Sequence, residues 1–586
     1  MQLYVLKKLL YNILYRSLTR NESIPPLLDD AGLPVDDCDT KANLLNEAFS
    51  SAFTHDDGVL PPFPDRLDPN TSPLDSVFFT PASVLTKLLR LKKSSTLNPD
   101  NFPPLVLLSC AYQLSVPLSI IFNFIFDHSE LPTSWLTSTV IPLFKKGARN
   151  IASNYRPISL TSSCCKVMES IIHDSMSTFL LTNNLISDHQ HGFIKNRSTI
   201  SNLLSSLRIW LSSLNSGKST DVIYVDFAKA FDSVSHPKLL HKLASYGIRG
   251  KLLSWISAWL SGRTQTVKLG AFFSLPKSVL SGILQGSVLG PLLFLLFIND
   301  LVDFLPPDSH PTLFADDLKL FTDTIPIPVN NLPTSVSSQF LQDSLNMLYA
   351  WSQLWQLPIS IPKCSILSIS NSKTPLPRSY FIGAHQLPQV TSCSDLGVII
   401  DDKLSFSYHI LSTVKKAYRK SALISRCFHS KNVTNLKRAF CSYVRPILEY
   451  ASQIWSPHSL KDTALLEKVQ RRFTKSIPAL HLLPYSTRLT NLNLQSLALR
   501  RTNIDLCTVY RILHRQISLD STLFFTLRTN SVTRGHSLAL CKPSVRLDTS
   551  KFAFHARVVD PWNALPSETV NAISINSFKA RLRSAF

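Results

Sequence analysis

Three aspartates stand where apolar segments end, and their placement suggests metal chemistry. Asp226 closes the run TDVIYVDF (220–227), while Asp316 and Asp317 separate two short apolar runs in TLFADDLKLF (312–321). Carboxylates at the edge of a core are costly, and two adjacent ones repel each other. Divalent cations relieve that cost, because Mg²⁺ prefers carboxylate oxygens and leaves coordination positions open for phosphate. Two such ions could activate a hydroxyl and stabilise a leaving pyrophosphate. The alternative is that Asp-Asp is only a turn dipeptide.

The segments around these aspartates predict the elements that position them. TDVIYVDF is apolar on both faces, which predicts a strand in the middle of a sheet, and TLFADDLKLF is typical of a tight hairpin. HPKLLHKLASYG (236–247) has helical spacing and ends in a glycine stop, and STVIPLFKKG (138–147) predicts a strand ending in a basic turn. After a proline-rich loop at 325–338, a further helix carries one apolar stripe, formed by Leu341, Leu345, Leu348, Trp351 and Trp355.

Charge and cysteine content narrow the class of protein. The chain of 586 residues has 60 Lys and Arg against 39 Asp and Glu, a formal charge of +21. That balance favours a polyanionic partner, nucleic acid first and an anionic membrane surface second, over a basic protein with neither. The ten cysteines lack metal-ligand spacing, so we expect no zinc site, and reduced thiols in the cytoplasm or nucleus.

Two segments require a membrane check. Residues 1–18 predict an amphipathic helix without a secretory cleavage site, which leaves a peripheral membrane protein as a third, weaker interpretation. Residues 102–126 carry no charge but contain three prolines, so two short buried helices are favoured over a membrane span.

An ordered series of motifs surrounds the aspartates. In chain order these are NYRPISLTSSCCKVMESII, HGFIKNRST, VDFAKAFDSVSHPKLL, SGILQGSVLGPLLFLLFINDL, TLFADDLKLF, WQLPISIPKCSIL, DLGVIIDDKLSF and RPILEYASQIWSP. Each resembles a motif of the reverse transcriptases of non-LTR (LINE-type) retrotransposons, and the tail FHARVVDPWNALPSETVNAISINSFKARL is similar to the jockey-like and chicken-repeat-like branches. The resemblance runs from about residue 24 to the end.

This resemblance implies an α+β right-hand polymerase with fingers, palm and helical thumb, an N-terminal helical extension and a mixed C-terminal region. The expected boundaries are 1–75 for the N-terminal extension, 76–130 for a helical region leading into the fingers, 131–400 for fingers and palm, 401–480 for the basic thumb and 481–586 for the C-terminal extension.

The resemblance also implies the reaction and its metal ligands. Asp226, Asp316 and Asp317 match the catalytic aspartates, and the backbone carbonyl of Phe227 would complete the shell of one ion. The expected cofactor is a pair of Mg²⁺ ions, with Mn²⁺ as a possible substitute. RNA template, DNA primer and dNTPs are the expected partners, with no membrane.

Several residues match nucleotide-binding positions of the family. Phe231 matches the aromatic that excludes a ribose 2′-hydroxyl, although core packing is an open alternative. Gln285 and Gly286 match the turn beneath template and nucleotide, where Gly286 would allow close backbone approach and Gln285 could bond a base or sugar. Arg156 and Lys166 match basic residues that would meet the triphosphate, unless they are surface charges.

Lys363 matches a lysine near the leaving pyrophosphate, a plausible proton donor, although Ser360 and Pro362 depart from the more polar pattern before it. Leu284 replaces a proline that is frequent in the family. In the thumb, four basic residues are expected to grip the template–primer backbone, or else to form a solubilising face. They are Lys415, Lys416, Arg419 and Lys420.

The expected function is therefore RNA-directed DNA polymerisation. The endonuclease that usually precedes this domain has no counterpart among the motifs, which indicates a truncated copy or a late-starting gene model. The alternative function is a catalytically silent, nucleic-acid-binding remnant of a retrotransposon.

Overall fold

The computed structural model describes residues 24–95, 98–100, 102–307, 309–324, 336–372, 378–428, 430–528 and 536–585. The helix expected over residues 1–18 and most of the proline-rich loop lie outside these ranges. The chain divides into two compact units: residues 1–190, 226–305 and 346–360 form the first, and residues 191–225, 306–345 and 361–586 form the second.

Two larger sheets contain most of the strands. In chain order these strands are β1 (Thr137–Phe144), β2 (Tyr155–Leu160), β3 (Ser219–Val225), β4 (Thr264–Leu269), β5 (Phe272–Phe273), β6 (Lys277–Ser278), β7 (His310–Phe314), β8 (Asp317–Thr324), β9 (Ser365–Ile369) and β10 (Gln389–Val390). Shorter antiparallel pairs join Leu27–Leu28 with Pro34–Val35, Phe381–Ile382 with His385–Gln386, and Ser392–Asp395 with Val398–Asp401.

Helices account for most of the remaining regular structure. Those of eight or more residues are α1 (Cys38–Ser50), α2 (Pro81–Leu88), α3 (Ala111–His128), α4 (Ser163–Thr182), α5 (Thr199–Asn215), α6 (His236–Ser245), α7 (Gly250–Leu260), α8 (Gly290–Ile298), α9 (Val336–Leu354), α10 (Ser407–Cys427), α11 (Leu460–Lys475), α12 (Tyr485–Leu492), α13 (Leu497–Leu513) and α14 (Ile575–Ala585). Shorter helices are Pro104–Ser109, Thr133–Leu136, Leu301–Phe304, Val433–Ala439, Arg445–Glu449, Ser452–Trp455, Ser521–Phe524, Asp548–Lys551, Phe554–Arg557, Val559–Asn563 and Ser567–Val570.

The first unit contains the sheet β2-β1-β4-β5, with β6 also paired to β4. The helix expected from HPKLLHKLASYG is α6, and Gly247 follows it with a φ of +81°. The uncharged segment forms the helix Pro104–Ser109 followed by α3, as expected, but its burial was wrongly predicted. One face of α3 is exposed. It carries Tyr112, Val116, Ile120 and Phe124, which recur every four residues and therefore lie on the same side of the helix.

The second unit is built on the sheet β10-β9-β3-β8-β7. The central place of β3 was predicted correctly, because a strand paired on both edges and covered on both faces needs apolar residues throughout. One continuous core joins this sheet to α5, α10, α11 and the C-terminal helices, running from Leu203 to Leu582. The mixed C-terminal region expected from the sequence is helical in its regular elements, within the described parts of 481–585.

Candidate active site

The hairpin β7–β8 carries two of the predicted catalytic residues in the second unit. Asp317 pairs with Phe314, so only Ala315 and Asp316 form the loop. Ala315 has a φ of +56°, the left-handed conformation that two-residue hairpins require. Leu318 is buried on β8, whereas Asp316 is half-buried and Asp317 is exposed. The apolar flanks therefore anchor the hairpin in the core, and both carboxylates are held at its tip.

The register of the sheet relates this hairpin to the end of β3. Val225, the last residue of β3, pairs with Leu318, which directly follows Asp317 in β8. Asp226 is the next residue of the chain after Val225. A one-residue shift of this register would turn every side chain of β3 to the opposite face.

In the first unit, the backbone that follows Asp226 is held by a second chain segment. The carbonyl of Asp226 accepts a 2.7 Å hydrogen bond from the N–H of Ser360, and the N–H of Ala228 donates to the carbonyl of Pro358 at 2.8 Å. Phe227 forms an antiparallel bridge with Ile359 between these two bonds. Ser360, which departs from the family pattern, thus contributes a hydrogen bond through its backbone N–H.

A buried ion pair lies behind this backbone. The ring of Phe227 packs against Trp351, with centroids 6.3 Å apart, and the indole N–H of Trp351 donates to Asp300 at 2.9 Å. The other carboxylate oxygen of Asp300 accepts from Lys242, whose ammonium also lies 3.6 Å from the centroid of Trp355. Burial lowers the pKa of Lys242 to about 8. This network fixes the ring against which Phe227 packs.

Phe231 and the glycine-containing turn before α8 form one hydrogen-bonded unit. The ring of Phe231 stacks on Phe294, with centroids 4.3 Å apart, and remains half-buried. Its carbonyl accepts a 2.7 Å bond from Ile283, and the N–H of Gly282 donates to Val234 at 2.8 Å. A Cβ on Gly282 would lie 2.6 Å from the carbonyl oxygen of Asp232. The turn that carries Phe231 is therefore closed against the 281–283 segment.

Gly286 brings the same turn against β2. Its φ is +125°, and a Cβ there would lie 2.5 Å from the carbonyl oxygen of Ser159. The N–H of Ser159 donates to the carbonyl of Gln285 at 2.9 Å. The close backbone approach predicted for Gly286 is thus present, but it is made to the protein's own strand.

The two predicted triphosphate-binding residues lie on elements that hold this turn. Arg156 is exposed on β2, three positions before Ser159. Lys166 is half-buried in α4, one turn before Glu169. The buried carboxylate of Glu169 accepts from the N–H groups of Val288 and Leu289, at 2.7 and 3.3 Å. Glu169, which sequence reasoning missed, therefore caps the start of α8 with a negative charge.

Most of the residues described above lie in a segment of the chain that matches a known protein family. The family described as reverse transcriptase (RNA-dependent DNA polymerase) matches residues 144–400, a range that includes the aspartate hairpin and the turns just described. Residues 144–400 are a reverse transcriptase domain. This match confirms the resemblance to reverse transcriptases over residues 144–400, and relatives from mobile elements extend the similarity beyond that range.

Two of the similar relatives are proteins of Drosophila mobile elements. The chain is 26% identical over 476 residues to the probable RNA-directed DNA polymerase from transposon BS of Drosophila melanogaster, covering 77% of this chain and 51% of the relative. It is 28% identical over 372 residues to the RNA-directed DNA polymerase from mobile element jockey of the same species, covering 61% and 40%. The chain thus spans about half the length, or less, of these relatives.

After the reverse transcriptase domain in the chain, helices α10 and α11 present an exposed basic surface. All four predicted thumb residues are exposed on α10, which contains no acidic residue. The two acids of α11 face the protein: Asp462 accepts from the Ser407 hydroxyl at 2.9 Å, and Glu467 accepts from the N–H of Leu497 at 3.0 Å. The exposed charged residues of α11 are all basic, namely Lys461, Lys468, Arg471, Arg472 and Lys475.

The remaining observations concern Lys363, membrane-spanning helices and clusters of metal-binding side chains. Lys363 is exposed at the end of a short turn, two positions before β9. No helix among the described residues is long and apolar enough to cross a membrane. Within the same described ranges, no three histidine, cysteine, aspartate or glutamate side chains are gathered closely enough to hold a metal ion.

Sequence reasoning also missed Asp232. Its carboxylate accepts a 2.9 Å hydrogen bond from the side-chain amide of Gln285. Burial raises the pKa of Asp232 to about 6. The signal was present in the sequence, because Asp232 directly follows Phe231, but a single acid after an aromatic residue has no distinctive spacing.

Proposed function

We propose that this protein is an RNA-directed DNA polymerase of a non-LTR retrotransposon, which adds deoxynucleotides to a primer 3′-hydroxyl opposite an RNA template. The observation that carries the proposal is the register that pairs Val225 with Leu318. It sets the strand that immediately precedes Asp226 in the chain beside the hairpin that carries Asp316 and Asp317. The reverse transcriptase domain and the names of its relatives support the same reaction.

Reverse transcriptases use divalent metal ions, and the donor set fits such ions. Asp226, Asp316 and Asp317 offer hard carboxylate oxygens, which suit Mg²⁺, or Mn²⁺ in its place. We propose that they hold two ions together with the backbone carbonyl of Phe227. When bound, the ions would favour deprotonation of the primer hydroxyl and neutralise charge on the pyrophosphate.

The chain's own residues bind and orient the nucleotide in this proposal. The exposed guanidinium of Arg156 and the ammonium of Lys166 attract the triphosphate, and Lys363 donates a proton to the leaving pyrophosphate. The half-buried ring of Phe231 lies under the sugar and excludes a 2′-hydroxyl. Stacking on Phe294 holds that ring rigidly enough to exclude so small a group.

The basic surface of α10 and α11 would hold the template–primer backbone. Its exposed charges are of one sign, which is costly in isolation because they repel each other, and phosphates offset that repulsion. We assign fingers and palm to residues 131–400 and the thumb to 401–480, with extensions on either side. Action on RNA and DNA would place the protein in the cytoplasm, the nucleus or both.

Primer extension on poly(rA)·oligo(dT) with Mg²⁺ tests the function directly. The parent protein should incorporate dTTP, and Asp226→Asn or Asp316→Asn should abolish incorporation while duplex binding stays nearly intact. Asp127→Asn is the matched control, because Asp127 is an exposed aspartate paired with Lys251 on the surface. Binding without incorporation by the well-folded parent would instead indicate the catalytically silent remnant.

A further inference from the structure

A cavity of about 320 Å³ opens in the second unit, where α10 and α11 begin. Both helices contribute exposed residues to its rim, among them Leu411 of α10 and Lys461 of α11. Its floor is apolar and includes the buried side chains of Ile454 and Trp455. A concave, mostly apolar space of this size suits one small organic group.

Two stacked rings form part of the cavity wall. The imidazole of His458 and the ring of Phe552 lie nearly parallel, with centroids 4.6 Å apart and an interplanar angle of 5°. Both side chains are exposed, so the pair presents aromatic surface at the mouth of the cavity. The buried hydroxyl of Thr549, which also lines the cavity, has no hydrogen-bond partner among the described residues. Aromatic surface beside a free hydroxyl suits a nucleobase, which stacks through its ring and forms hydrogen bonds at its edge.

The basic surface of α10 and α11 leads to the mouth of this cavity. On α10, Leu411 lies one turn before Lys415, and residues four apart share one face of a helix. On α11, Lys461 and Leu465 line the cavity, and Lys468 continues their face one turn later. A nucleic-acid strand whose phosphates follow these lysines would therefore bring a base to the cavity.

We propose that this cavity binds one unpaired base of the bound nucleic acid, by stacking on Phe552 and by a hydrogen bond with Thr549, while Lys461 contacts a neighbouring phosphate. This inference rests on the proposed function, in which the basic surface holds the template–primer backbone. A paired base must leave its duplex before it can enter such a cavity, and that step costs free energy, whereas an unpaired base is already available. The cavity would therefore add affinity for a duplex that continues into a single strand.

The experiment measures binding of RNA–DNA duplexes that differ only in a short single-stranded extension. One set is extended with adenine nucleotides and the matched set with abasic nucleotides, which keep every phosphate but carry no base. Separate duplexes carry the extension on the RNA strand or on the DNA strand, which identifies the source of the base. The parent should bind at least one adenine extension about 5- to 100-fold more tightly than its abasic counterpart, the effect of stacking one base.

Phe552→Ala and Thr549→Val each remove one of the proposed contacts. Phe552→Ala should abolish most of the preference for adenine, and Thr549→Val, which preserves the shape of the side chain, should lower it about 2- to 10-fold, the effect of one hydrogen bond. Neither variant should change the binding of abasic duplexes. Lys420→Ala should instead weaken both kinds of duplex equally, because Lys420 is exposed on α10 and does not line the cavity. Phe78→Ala is the matched control and should keep the parental preference, because Phe78 is 76% exposed in the first unit.

Equal affinity of the parent for adenine and abasic extensions on both strands would overturn the role of the cavity and leave the proposed function standing. A full preference for adenine in Phe552→Ala and Thr549→Val, with melting temperatures like that of the parent, would also overturn it, because the base would then bind elsewhere. Failure of the folded parent to bind any duplex or to extend a primer would overturn the proposed function and this inference with it.

Discussion

Replacing Lys242 with methionine should destabilise the first unit strongly. The side chains of Lys242 and Asp300 are 0% and 6% exposed, and the ammonium also donates to the carbonyl of Phe297 at 2.6 Å. Methionine fills a similar volume but leaves the carboxylate of Asp300 buried without its cation. Removing one partner of a buried ion pair costs about 3–5 kcal/mol of unfolding free energy.

Urea unfolding followed by tryptophan fluorescence measures this loss. Lys251→Met is the matched control, since Lys251 and Asp127 are 59% and 50% exposed and such surface pairs contribute about 0–1 kcal/mol. The double variant Lys242→Met/Asp300→Leu should recover most of the stability, because no buried charge remains. A loss below about 1 kcal/mol for Lys242→Met, or a double variant as unstable as the single one, would refute this reasoning.

Three further results are expected. Binding to an RNA–DNA duplex should weaken steeply as salt rises and depend little on sequence; affinity that is flat across salt would exclude the basic surface of α10 and α11 as the phosphate contact. Phe231→Val should admit rNTPs while retaining some dNTP incorporation, whereas loss of both substrates and a lowered melting temperature would support core packing alone. The pKa of Asp232 is raised in the folded protein, so between about pH 4 and 6 the folded protein keeps a proton that the unfolded chain has released. The free energy of unfolding should therefore fall as pH rises through this range. Asp232→Asn should lack this fall and gain at most about 3 kcal/mol over the parent above pH 6, as measured by urea unfolding at each pH.

Local sequence signals were sufficient for the elements nearest the aspartates. The strand β3, the hairpin at Ala315–Asp316 and the helix α6 each depend on a short pattern of apolar and turn residues, and all were predicted correctly. The predicted apolar stripe was also confirmed, since its four members in α9 are buried and Trp355, directly after the helix, is buried too. These elements are determined by neighbours in the chain, which is why a single sequence was enough.

Contacts between distant segments were not accessible in the same way. Glu169 binds the start of α8 about 120 positions later, and Asp232 meets Gln285 across 53 positions. An isolated Glu or Asp has no periodic signal that names such a partner. The exposed face of α3 was missed for a related reason, since an uncharged sequence does not reveal which side lacks a covering element.

The continuous core of the second unit has a consequence for how the protein must be made. The apolar face of α5, including Leu207 and Trp210, belongs to the same core as Phe554. Asn215, at the end of α5, bonds to Ser550 at 2.7 Å. These partners are translated more than 300 positions after α5.

At about 5–20 residues per second, that interval lasts on the order of tens of seconds. During this time the ribosome carries a completed α5 whose partners do not yet exist. The emerging chain would therefore be a substrate for chaperones that cover apolar helices, and misfolding rather than slow chemistry would limit its yield. A C-terminal deletion before Ser550 should make this exposure permanent and drive the protein into aggregates.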